Sequence, residues 1–193
     1  MSRIEYSDLT QSVLKRLFLF GLPAGVGAAL FWYFGGMRYW GYLVVTLAKL
    51  LGFWTTVQFD GRDLIYQVTL EMGGTSFIAF KMNQFNLSFL EVMTLLGAWR
   101  HRSVKAGFRL AGWSVLILLG YQAIAFLAHC HAVEIGPDFA NSQHIMWESS
   151  WWYVFMKNVA AFQTFILRYW AGFPVFALAL LANTLTTGKP KTK

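Results

Sequence analysis

Residues 17–34 read LFLFGLPAGVGAALFWYF, a run without a charged or amide side chain. As a helix, its 18 residues cover about 27 Å at ~1.5 Å each. That is close to the ~30 Å hydrocarbon core of a bilayer. Lys15 and Arg16 precede the run, and Trp32 and Tyr33 close it, as a basic flank and an aromatic interface belt do around a membrane span. A signal peptide shares the charged-then-apolar order but ends on small residues at its cleavage site. This run ends Phe31-Trp32-Tyr33-Phe34, which predicts an uncleaved anchor.

The rest of the chain agrees with that beginning. Charged residues make up 13% of the sequence, about half the ~25% of a soluble domain, and mean hydropathy is +0.46. Aromatics reach 18%, which excludes the charge-rich, aromatic-poor composition of a disordered chain. A single cysteine leaves no internal disulfide and no Cys-rich metal site.

Three further runs qualify as spans: 85–99 (FNLSFLEVMTLLGAW, with Glu91 inside it), 108–127, and 159–182 with Arg168 inside it. The run 40–54 (WGYLVVTLAKLLGFW) is short and contains Lys49. It is expected to lie in the interface with Trp40, Tyr42 and Trp54 at headgroup depth; a short tilted span is the alternative. The expected fold is an all-α membrane protein of about four transmembrane helices, with a small extracytoplasmic three-stranded β element and an interfacial helix. Residues 1–16, the loop 100–107 and the tail 183–193 fall on the cytoplasmic side, and 35–84 and 128–158 on the outer side. Ten of the 16 basic residues then sit inside: Arg3, Lys15, Arg16, Arg100, Arg102, Lys105, Arg109, Lys189, Lys191 and Lys193. The basic pI of 9.7 is thereby a topology signal and gives no reason to expect nucleic acid. A multi-pass membrane protein with both termini cytoplasmic is expected.

Between Thr55 and Met82 the period changes to TTVQFDGRDLIYQVTLEMGGTSFIAFKM. Leu64, Tyr66, Val68 and Leu70 alternate with Ile65, Gln67 and Thr69, the two-residue repeat of a half-buried strand. Asp60-Gly61 and Gly73-Gly74 mark turns. Three strands need a surface to pack on, supplied by the 40–54 helix or the membrane face. An exposed sheet edge would suit a docking role.

Residues 129–152 read HCHAVEIGPDFANSQHIMWESSWW. Gly136-Pro137-Asp138 signals a turn, followed by a short helix over 139–147. His129, His131, Glu134 and His144 are candidate metal ligands, although neighbours such as His129 and His131 point apart on a helix. Cys130 with His131 as base and Arg168 as oxyanion stabiliser would make a thiol acyl-transfer site. Arg168 lies ~14 Å below the outer end of its span by helical rise, deep for such a partner. The expected use of Arg168 is instead an intramembrane pair with Glu91, extended by Asn86, Gln122 and Gln163. Gly21 and Gly25 form a small-xxx-small pattern for close helix packing. Nucleotide-binding, serine-hydrolase and zinc-protease motifs are missing from the sequence. No cofactor is expected; the expected partners are the lipid bilayer and a membrane protein or a second copy.

The order of parts resembles the exosortase-associated membrane proteins that accompany an exosortase of the H type. An anchor leads into an interface segment, then a "V-x-F-D-G-R-x-L" strand motif at Val57–Leu64, then an "N-x-x-x-F"-like entrance to a span at 86–90, a basic turn and two more spans. The resemblance implies a non-enzymatic accessory subunit beside a protein-sorting transpeptidase. Exosortases themselves use a Cys, an Arg and a later His; here every histidine precedes Arg168, unlike the transpeptidase. The alternatives are a membrane thiol enzyme using Cys130, or a small transporter or channel subunit built on Glu91 and Arg168.

Overall fold

The computed structural model describes residues 11–52, 56–61, 63–70, 74–101, 103–142, 151–162 and 168–187. The chain is mostly helical, with one small antiparallel sheet. Helix α1 (Gln11–Leu50) comes first. Strands β1 (Val57–Asp60), β2 (Asp63–Leu70) and β3 (Gly74–Lys81) follow. Then come α2 (Asn83–Ala98), α3 (Val104–Ser142), α4 (Trp151–Phe162), the single turn α5 (Arg168–Trp170) and α6 (Gly172–Thr187). Among the described residues, α1 and the Val104–Cys130 part of α3 are long and apolar enough to cross a membrane; Phe85–Ala98 and Gly172–Thr186 are shorter apolar helices.

The chain divides into two compact units. The first takes the chain up to Phe34, Asn86–Leu118 and the chain from Trp170 onward. Its helices meet through small residues. A Cβ added to Gly21 would stand 3.1 Å from the Thr94 carbonyl oxygen and 3.2 Å from Ala98 Cβ. Further along, Trp32 packs on Phe89 with ring centroids 5.2 Å apart. Rising numbers on α1 therefore meet falling numbers on α2, so the two helices are antiparallel. Leu110, Phe176 and Ala179 form a buried cluster with Leu95 and Trp113 against it, which joins α2, α3 and α6. Little of α1 is used in this way: only 17% of its apolar window is buried, against 39% for α3. A helix that is apolar all round suits a core or a membrane span, and this one leaves most of its apolar window outside the core. Phe18, Phe20, Val26 and Leu30 all face outward.

The second unit holds Gly35–Phe85 and Leu119–Tyr169. Trp40, Gly41, Val44, Val45 and Ala48 are buried, a stripe at helical spacing on the second half of α1. The sheet is a meander in the order β1-β2-β3. Asp60 pairs with Asp63 across a two-residue loop, and Gly61 there takes φ +58°, the left-handed conformation that tight hairpins require. Leu64 and Tyr66 are fully buried, while Ile65 and Gln67, which alternate with them, are half-buried. Tyr66 and Phe80 each pack edge-on to Phe126 of α3, and Tyr42 of α1 meets Phe59 of β1. The surface that three strands need is thus provided by protein helices. The side chains of Val68 and Leu70 lie outside the described residues.

Three expected boundaries differ. The runs 17–34 and 40–54 belong to one helix ending at Leu50. Its hydrogen bonding loosens to a π-turn at Trp32–Gly36, where Gly35 takes φ +107°. That value is open to glycine, so the Gly35-Gly36 pair distorts the helix without ending it. The helix instead stops before Gly52, at φ +104°; Phe53 and Trp54 lie outside the described residues. The Gly136-Pro137-Asp138 turn is absent, since α3 runs on to Ser142: extending a formed helix is far easier than nucleating a new one. Finally, 159–182 is not one unbroken helix. Ala171 stands in a turn and α6 restarts at Gly172. Pro174 has no N–H to give and crowds the carbonyl four residues back, so it is accommodated in the first turn of a new helix.

Candidate functional site

Buried polar side chains in an apolar protein mark either chemistry or assembly, and their partners tell which. Glu91 lies on α2, and its Oε2 accepts the Gly172 N–H at 2.8 Å. Gly172 opens α6, whose first N–H groups have no acceptor within the helix. A carboxylate there satisfies a donor and complements the positive end of the helix dipole. The approach depends on glycine: a Cβ at position 172 would collide with Glu91 and stand 3.1 Å from the Ser88 carbonyl oxygen. Arg168, the partner expected from the sequence, begins α5; its side chain lies outside the described residues.

Gln122 has a different task from the expected one. Its side-chain oxygen accepts the Trp40 indole N–H, and its Nε2 donates to the Phe85 carbonyl oxygen at 3.3 Å. It bridges α1, α2 and α3 within the second unit rather than extending a charge pair around Glu91. Gln163 lies outside the described residues.

The thiol and histidine candidates fall near the middle of α3. Cys130 is buried, 1% exposed. The His129 ring packs edge-on to Phe80 with centroids 4.9 Å apart. His131 and Glu134 continue the same helix, with side chains outside the described residues, as is all of His144. Among the described residues, no three His, Cys, Asp or Glu side chains gather to hold a metal.

Gly21 and Gly25 lie on the α1 face turned to α2. A Cβ on Gly25 would collide with the Thr94 hydroxyl, and one on Gly97 would stand 2.6 Å from Ala24 Cβ and 2.7 Å from the Phe20 carbonyl oxygen. Gly97 and Gly172 escaped the sequence reading. Gly97 carries no local pattern, whereas Gly172-Phe173-Pro174 is a helix-start signal hidden inside an apolar run.

Two grooves lie along the described helices. In the second unit, Tyr121 and Ile124 of α3 face Trp151, Phe155 and Phe162 of α4 across about 760 Å³. In the first unit, a groove of about 740 Å³ runs along α2, with Glu91 and Phe173 towards one end and Arg16 and Arg100 towards the other. No protein-family model, curated protein or solved structure matches the chain.

Proposed function

We propose that the chain is a multi-pass protein of the bacterial inner membrane that serves as a non-enzymatic accessory subunit, a scaffold on which a second membrane protein assembles. The outward-facing apolar surface of α1 supports the membrane part, because a bilayer is the medium in which such a surface is stable. One observation carries the accessory part: the side chains of Glu91 and Gln122 are spent on holding elements together. Glu91 caps α6 and Gln122 ties Trp40 to Phe85. The three-stranded sheet offers β1 and β3 as edges to which a partner strand can add. The partner class implied by resemblance is an exosortase-type sorting transpeptidase.

The test is purification of the tagged full chain in mild detergent, with mass spectrometry of what accompanies it. A second membrane protein in fixed proportion is the expected result. Cys130→Ala should leave complex formation and cellular function intact. Loss of function with an undiminished protein level would instead favour the thiol enzyme, and solute flux in proteoliposomes containing the chain alone would favour a transporter.

A further inference from the structure

The groove along α2 in the first unit has the shape and charge of an amphiphile. It is lined along its length by Leu17, Leu90, Phe176 and Leu180, with Arg16 and Arg100 both at one end. From Leu87 to Arg100 it follows α2 for roughly 20 Å at ~1.5 Å per residue. One leaflet of a ~30 Å hydrocarbon core is about 15 Å deep, so the apolar part accommodates an extended acyl chain. Arg16 closes the amino-terminal flank of the first apolar run and Arg100 follows the end of α2, placing two cationic side chains where that chain would end at the interface. Guanidinium groups bind phosphate through paired, directional hydrogen bonds. The carboxylate of Glu91 does not compete: it lies nine residues from Arg100, about 14 Å by helical rise, and already binds Gly172.

We propose that this groove is a binding site for an anionic phospholipid, its acyl chain along α2 and its phosphate held by Arg16 and Arg100. The site rests on the membrane reading above, and commits to a lipid rather than free phosphate because the apolar wall is much longer than the charged end.

Native mass spectrometry of the full chain in detergent tests it, with phosphatidylglycerol, phosphatidylethanolamine of the same acyl chains, and inorganic phosphate as probes. Phosphatidylglycerol should bind at least about tenfold more tightly than phosphatidylethanolamine, given the attraction of each basic side chain for anionic lipid. Arg16→Gln with Arg100→Gln should abolish that preference, and Arg16→Lys with Arg100→Lys should keep part of it. Lys105→Gln with Arg109→Gln removes equal charge outside the groove and should leave it within about twofold. Ala177→Phe, which fills the groove, should weaken both lipids. Equal binding of the two lipids, or equal loss in both Gln pairs, would overturn the site. Inorganic phosphate binding as well as the lipid would reduce it to an ion site. Release of the chain from membranes by alkaline carbonate would sink the membrane reading itself, a result separate from these.

Discussion

Glu91 shows how one side chain can satisfy two different accounts until its partner is known. A carboxylate in an apolar run is costly, and Arg168 is the one basic residue deep within a candidate span, Arg109 standing at the edge of 108–127. The structure supplies an amide, the Gly172 N–H, while the Arg168 side chain lies outside the described residues. The two partners respond differently to substitution. Glu91→Gln keeps an oxygen to accept the Gly172 N–H but carries no charge for a guanidinium. If the amide dominates, Glu91→Gln keeps most of the stability, while Glu91→Leu leaves a buried donor unmatched at about 1–3 kcal/mol. Thermal unfolding in detergent separates the cases: equal losses for Gln and Leu, relieved in each by Arg168→Leu, would restore the ion pair as the dominant interaction. What made Glu91 legible was its isolation in an apolar run. What hid its partner is that any backbone N–H at a helix start is the same chemical group, so sequence carries no sign of which carboxylate reaches it.

Among the elements, legibility followed periodicity. The two-residue alternation at 63–70 and the turn at Asp60-Gly61 led directly to the strands, because one strand face had to be buried. The helix interruptions were harder. The interval between the runs 17–34 and 40–54 is bridged by a π-turn at Trp32–Gly36, and the break at Ala171 stood inside 159–182, marked only by Gly172-Phe173-Pro174. Close packing of α1 on α2 was half visible: Gly21 and Gly25 have a recognisable spacing, but the closest approach to partner backbone is at Gly97. Alanine at each glycine therefore has a different expected sign. Gly27 has nothing near an added Cβ, so Gly27→Ala should be neutral or stabilising by up to ~1 kcal/mol from helix propensity. At Gly25 the obstruction is a Thr94 hydroxyl that can rotate, so Gly25→Ala should change stability little. At Gly97 the obstruction includes the Phe20 carbonyl, which moves only with α1, and Gly97→Ala should cost about 1–3 kcal/mol. Melting temperatures of the three variants check the order. Equal effects at all three would mean that α1 and α2 do not depend on this contact.

For the whole molecule, helix directions within the first unit say which of its ends share a side. Helix α2 runs antiparallel to α1, as Gly21 against Ala98 and Trp32 against Phe89 require. Helix α6 runs parallel to α2, since Glu91 meets Gly172 and Trp99 meets Phe176. The chain therefore leaves α2 at the end where it entered α1, and leaves α6 at that end again. Arg16 and Arg100 lining one groove fit the same arrangement. If α1 crosses a bilayer, Lys15, Arg16, Arg100 and Lys105 share one side, and excess basic charge near span ends marks the cytoplasm. The segment between α1 and α2, which holds the sheet, then falls on the opposite side. A reporter fused after Lys193 should read cytoplasmic, and one inserted between Gly73 and Gly74 should read periplasmic. The two signals are coupled by the helix directions but fail in different ways. Both inverted would keep the fold and reverse the charge rule. Both cytoplasmic would mean that the stretch between Phe34 and Phe85 crosses twice more, once on each side of Gly73, or that α1 does not cross at all, and protease protection of the sheet in sealed inverted vesicles would distinguish a lumenal sheet from one left outside.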